Sequence, residues 1–132
     1  MNKEMMDIYQ KIGDFLDGNV TEEWEIAWVR SEIDDGVSSS EVYYKAADGV
    51  FHYEPPSDDL DDAVIELWEL SAESGSKWFE MTYKLSSMGE MDVSFRYEEM
   101  ANAELGETGG RAKEWIYENL GDVKVSGFWA GQ

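Results

Sequence analysis

The strongest constraint on the fold is a strict period of two between Phe79 and Tyr97. Phe79, Met81, Tyr83 and Leu85 alternate with Trp78, Glu80, Thr82 and Lys84. Beyond a turn at 86–89, Met91, Val93, Phe95 and Tyr97 alternate with Glu90, Asp92, Ser94 and Arg96. Successive side chains of a strand point to opposite faces, so this spacing predicts an antiparallel hairpin with one apolar face. A slip of one residue would turn that whole apolar set into water, so the register is strongly specified and the face needs a cover.

Covers are present at helical spacing. Met5, Ile8, Ile12, Phe15 and Leu16 define an amphipathic helix with a stop at Asp17-Gly18. Leu60, Val64, Leu67 and Ser71 share a second helical face, flanked by Ala63 and Trp68, and Ala112, Trp115, Ile116 and Leu120 share a third that Gly121 can cap. Between the first two helices the period is again two. Trp24, Ile26 and Trp28 alternate with Glu25, Ala27 and Val29, Asp34-Asp35-Gly36 turns the chain, and Val42, Tyr44 and Ala46 continue on a second strand. Asp48-Gly49 suits a tight turn with positive φ, and a third strand from Val50 to Tyr53 ends before Pro55-Pro56. The expected fold is α+β in the order α-β-β-β-α-β-β-α, a mostly antiparallel sheet of about five strands with helices on one face. At 132 residues and 42% hydrophobic content, residues 1–132 are expected to form a single domain with a real core.

Charge narrows the partners. Thirty Asp and Glu face ten Lys and Arg, a formal net charge of -20, which repels nucleic acid and anionic membranes and draws in basic surfaces. Six Trp, seven Tyr and five Phe are too many aromatics for a disordered acidic tail. The absence of cysteine removes disulfides, thiolate catalysis and Cys-bound zinc. The charged N-terminal ten residues do not read as a signal peptide, and no run approaches the roughly 20 apolar residues of a membrane span, so a soluble, cytoplasmic protein is expected.

The densest acid lies in "SDDLDDAVIELWEL", from Ser57 to Leu70. Ser57 or Asp58 can accept hydrogen bonds from the free N–H groups of a helix start, and the neighbouring carboxylates meet the positive end of the helix dipole. Asp58, Asp59 and Asp62 also fit a DDxxD spacing for magnesium-diphosphate, but the chain offers neither a second acidic motif nor a basic cluster for the diphosphate. Asp34-Asp35-Gly36 lacks the alternating acids of a calcium loop, and "GETGG" lacks the Gly-Lys-Ser/Thr of a phosphate loop. The one histidine, His52, has no triad partners, and with acids so abundant a pair such as Glu98-Glu99 carries no specific signal for glycoside hydrolysis. No enzymatic activity, metal or cofactor is expected.

The segments "TEEWEIAWVRSEI", "EVYYKAADG", "WFEMTYKLSSMGEMDVSFRYEEM" and "EWIYENLG", in that order, resemble the YezG-like family of small bacterial antitoxin and immunity proteins. The better-matched pieces are Glu23-Trp24-Glu25, Tyr43-Tyr44-Lys45, Gly89 with Phe95, Tyr97, Glu98 and Glu99, and the ending Trp115, Tyr117, Leu120 and Gly121. The resemblance implies a protein that binds and neutralises a toxic domain, usually the C-terminal nuclease of a secreted polymorphic toxin such as those of contact-dependent growth inhibition. The expected partner is that cognate toxin domain, basic because nucleases bind a polyanion, with no direct binding of nucleic acid or membrane. The alternative is an acidic nucleic-acid mimic or adaptor that fills a basic groove of another protein. Candidate contacts are an acidic rim of Asp34, Asp35, Asp61, Asp62, Glu98 and Glu99, and an aromatic patch of Tyr43 and Trp78 on the outer sheet face. The competing reading packs Trp78 under a loop or under the tail around Phe128 and Trp129.

Overall fold

The structure, a computed structural model, describes residues 3–34, 37–97 and 108–127. In chain order the elements are α1 (Lys3–Asn19), β1 (Trp24–Asp34), β2 (Val37–Ala46), β3 (Phe51–Glu54), α2 (Asp58–Glu73), β4 (Glu80–Ser86), β5 (Met91–Arg96), α3 (Thr108–Asn119) and β6 (Val125–Ser126). The strands form one sheet in the order β5-β4-β1-β2-β3-β6. Every pairing is antiparallel except that of β3 with β6. This is the α+β order expected from the periodicities, with a small sixth strand added. Two residues are too short to show a period, so β6 was not foreseeable from alternation.

The hairpin signals act where they stand. Gly49 adopts φ 87°, as the Asp48-Gly49 turn requires, and the Asp48 carboxylate accepts the Val50 N–H at 3.0 Å. Met81 pairs with Phe95 and Tyr83 with Val93, which keeps the apolar series of β4 and β5 on one face. That face packs on α1 and α2: Ile8, Ile12 and Leu16 of α1 and Leu60, Val64 and Leu67 of α2 are buried with Val29, Val42, Met81 and Tyr83.

The expected cover on one face therefore holds for α1 and α2, while α3 lies on the other. There Trp115 and Ile116 are buried with Trp28, Tyr43 and Val125. The reason is in β1, where Ala27 and Val29 point one way and Trp28 the other, so both faces carry apolar bulk that water must leave.

The two helices on the first face run antiparallel, because Asn19 at the end of α1 meets the start of α2 while Lys11 meets Glu66. The Asn19 amide oxygen accepts the Ser57 N–H at 2.7 Å, and its NH2 donates to the Pro55 carbonyl at 3.2 Å. α1 sits close on the sheet because Gly13 has no side chain. A Cβ there would lie 2.9 Å from the Tyr83 hydroxyl, which donates to the Tyr9 carbonyl at 2.8 Å. Among the described residues no helix is long and apolar enough to cross a membrane.

Of the two capping candidates the structure selects Ser57. Its hydroxyl accepts the Leu60 N–H at 3.2 Å, while Asp58, Asp59 and Asp61 occupy the first turn. Ser57→Ala is expected to cost about 1 kcal/mol of folding free energy, and Asp58→Ala only ~0.3–0.5 kcal/mol through the helix dipole. Denaturant titration of the two variants checks the order of the two losses.

Candidate functional site

The exposed side of α1 and α2 is where the acid becomes ordered. Once Leu60, Val64, Leu67 and Ser71 turn inward, Asp62, Glu66, Glu69 and Glu73 are left in a stripe on the outer face of α2. Glu4 and Asp7 of α1 face this stripe across a groove of about 510 Å³ that Ile8 and Leu70 also line. Lys11 is the basic residue in that groove, 3.4 Å from Glu66, and both side chains are about half exposed, so water screens the pair. The first-turn aspartates are accounted for by the helix dipole. Among the described residues no group of three or more His, Asp or Glu is placed to hold a metal ion.

Of the residues expected to form an acidic rim, Asp62 is exposed and Asp61 half-buried on α2. Asp34 ends β1, where its backbone pairs with Val37. Asp35, Glu98 and Glu99 lie outside the described residues.

The expected exposed patch of Tyr43 and Trp78 requires correction, because both side chains are buried, at 0% and 2% exposure, and on opposite faces of the sheet. Tyr43 does point away from α1 and α2, but that side is covered by α3, and its ring stacks on Trp115 with centroids 4.9 Å apart. Trp78 precedes β4, and the chain bends at Phe79, so the alternation within the strand does not extend back to it. Its ring packs against Phe95 at 5.5 Å in the core under α1 and α2, and its carbonyl accepts the Trp68 indole N–H at 2.9 Å. Phe79 instead lies beneath Arg111 of α3, 5.6 Å from ring centre to guanidinium. Phe128 and Trp129, the other cover considered for Trp78, lie outside the described residues.

Alternation alone did not reveal a buried charge network between the sheet and α3. Arg30, fully buried in β1, donates from Nε to Glu80 at 3.0 Å, from Nη1 to both oxygens of Glu41 at 3.0 and 3.1 Å, and from Nη2 to Glu32. Arg111 of α3 holds Glu32 with two bonds of 3.0 and 2.8 Å. Arg96 lies 3.5 Å from Glu80 and donates to Glu118 of α3 at 2.7 Å. The Tyr43 hydroxyl donates to Glu41 at 2.9 Å, and the Trp115 indole donates to Thr82 at 2.8 Å. A signal for this network was present in β1, since Trp28, Arg30 and Glu32 share a face and a large aromatic there demands cover.

Burial favours the neutral form of each glutamate. It raises Glu41 and Glu80 above the ordinary carboxylate range, with Arg30 opposing the shift. At Glu32 burial pushes the same way, but hydrogen bonds and charge from Arg111 and Arg30 prevail and hold it below the ordinary value. Loss of water lowers the Arg30 pKa, and Glu41, Glu32 and Glu80 more than reverse that, so it stays charged.

The internal charges are satisfied by one another, and carboxylates in excess stand on the outer faces of α1 and α2. Residues 50–127 match the family model described as YezG-like immunity protein. The chain is 30% identical over 137 aligned positions to the immunity protein YezG of Bacillus spizizenii, covering 89% of this chain and 83% of that protein. It is also 25% identical to the type VII secretion system protein EsaG of Staphylococcus aureus, covering 90% of this chain and 83% of that protein. The chain belongs to the YezG-like immunity protein family, whose members are immunity proteins and not enzymes.

The network sets the acid response. Glu41 and Glu80 bind protons more tightly folded than unfolded, so their contribution to stability grows as pH falls from neutral through their raised values. Glu32 does the reverse: its contribution is complete above the unfolded value and is lost as pH falls through its lowered one. Stability attributable to the network is thus expected to hold or rise down to about pH 4.5 and to fall only below it. Melting of the wild type against Glu32→Gln across this range checks the assignment, the gap between the two closing only at the acid end.

Proposed function

We propose that this immunity protein neutralises the C-terminal nuclease domain of a cognate secreted toxin by binding it directly in the cytoplasm of the producing cell. The observation that carries this reading is the distribution of a net charge of -20: the carboxylates of α1 and α2 stand on the outer face, where a basic surface can meet them. A nuclease acts on a polyanion and therefore presents basic residues near its active site, so opposite charge accelerates encounter. The same charge disfavours direct contact with nucleic acid or anionic lipid. The name of EsaG places that relative in a type VII secretion system, which supports a secreted protein as the toxin here. Asp61 and Asp62, with the sequence candidates Asp34, Asp35, Glu98 and Glu99, are assigned to steering.

Stopped-flow mixing with the C-terminal nuclease domain of a candidate cognate toxin tests this. The association rate constant is expected to fall at least ~10-fold between low and high salt, since screening shortens to about 8 Å at physiological ionic strength. Asp62→Asn is expected to slow association without lowering the melting temperature, while adding Asp61→Asn costs ~0.3–0.5 kcal/mol of stability through the helix dipole. A rate indifferent to salt would remove steering, and full nuclease activity at saturating immunity protein would remove the nuclease as target. Equal binding to many unrelated DNA-handling proteins would favour the nucleic-acid mimic.

A further inference from the structure

Steering brings a partner to the surface, but tight complexes usually depend on a few apolar or arginine anchors seated in a groove. With Tyr43 and Trp78 buried, the anchor must lie elsewhere. The described residues include seven exposed large apolar side chains, and two of them meet at one place: Met6 on α1 at 48% exposure and Met91 at the start of β5 at 41%. Scattered apolar residues are ordinary on a surface, whereas a gathered set calls for an explanation. Met6 and Met91 are lips of a groove of about 320 Å³ between α1 and the hairpin, with Trp24, Tyr83 and Leu85 also lining it. One wall is fixed in advance, because the Tyr83 hydroxyl is tied to the Tyr9 carbonyl and seated against Gly13. The methionine lips are unbranched and polarizable, suited to closing over a side chain.

The charge at this groove points to the chemistry of its occupant. Asp14 and Asp17 line it, and a second depression sharing Asp17, Trp24 and Ser87 continues it toward Glu22 and Glu23. Lys, Arg and His are absent from the described lining of both parts, unlike the α1–α2 groove with its Lys11. Asp17 moreover stands in the last turn of α1, at the negative end of the helix dipole, where carboxylates are unfavourable and cations favourable, and that turn holds no basic residue. Among the described residues the Asp14 carboxylate accepts a hydrogen bond only from the neutral Gln10 amide, at 3.1 Å. A cation from outside relieves this repulsion, and an apolar side chain next to it covers the methionines.

We propose that the groove between α1 and the β4–β5 turn is the toxin-docking site, and that it takes a toxin segment in which an apolar side chain stands beside lysine or arginine. The assignment rests on the toxin-binding reading above and adds to it the place and the recognised chemistry.

The test uses the full-length protein and the same toxin C-terminal domain, with affinity and rates measured at physiological salt and melting recorded for every variant. Asp14→Asn with Asp17→Asn is expected to weaken binding at least ~10-fold while melting stays level or rises, since the Asp17 charge leaves the wrong end of a dipole and the two carboxylates no longer repel. Met6→Ala with Met91→Ala is expected to speed dissociation at least ~10-fold with little change in association. Met6→Ala alone, on an exposed helical position, keeps the test open should the double variant melt early. Glu69→Gln with Glu73→Gln removes equal charge from the α1–α2 groove and is expected to slow association only. Folded groove variants that bind as the wild type does, or a loss in the control as large as that for Asp14 and Asp17, would overturn the groove while leaving the immunity reading intact. A wild type that neither binds nor inhibits the domain would overturn that reading, and the groove with it.

Discussion

A guanidinium with no access to water is the fact to which the rest of the structure answers. Arg30 lies in the central strand, and a buried cation without partners is untenable, so carboxylates must reach it from each side. Glu41 comes from β2, Glu80 from β4 and Glu32 from β1 itself. Each partner depends on register: Arg30 stands opposite Glu41 on one neighbour and Thr82 on the other, and Glu32 opposite Glu80. A shift of either neighbour by one residue would carry its glutamate to the opposite face, among aliphatic side chains. Ion pairs this deep add little net stability over an apolar core, but they make alternative alignments costly. Here the value of the network is a single arrangement of β1, β2, β4 and α3.

Because the network pairs its charges to within one of neutrality, nearly all of the anionic excess lies elsewhere on the chain. Arg30, Arg96 and Arg111 are drawn into pairs with Glu32, Glu41, Glu80 and Glu118, so four carboxylates consume three of the ten basic residues. Few cations are left to offset the helices. The surface repels itself, and the core must hold the chain together against that repulsion. The same repulsion disfavours self-association and draws the molecule toward basic surfaces, a combination that suits an inhibitor kept ready in advance of its target.

How much was legible in the sequence depended on how local the cause was. The β4–β5 hairpin, α1, α2 and the Ser57 cap follow from spacing and from residues within a few positions of each other, and they stand where the periodicities put them. Tyr43 was assigned to the correct face, yet whether that face meets water depended on Trp115 of α3, about seventy positions later in the chain, and alternation cannot show what covers a face. Trp78 failed for a smaller reason, a bend at Phe79 that ended the period one residue too soon. The polar half of β1 concealed the network for the same reason as Tyr43: a strand's alternation shows two faces and not what covers them. The acid of "SDDLDDAVIELWEL" separated cleanly, its early members answering the helix dipole and Asp62 beginning the outer stripe.

The position of Arg111 bears on how the protein is made. A ribosome delivers Arg30, Glu32, Glu41 and Glu80 first, and the sheet from β1 to β5 can pair while Glu32 has one of its two cations. Only when α3 emerges does the second guanidinium arrive, and Trp115 then roofs Tyr43. The nascent chain therefore passes through an interval in which its most expensive electrostatic group is assembled but not enclosed, open to water and to chaperones. A premature stop before α3 would leave a sheet with one wet aromatic face, the kind of product that cellular proteolysis removes.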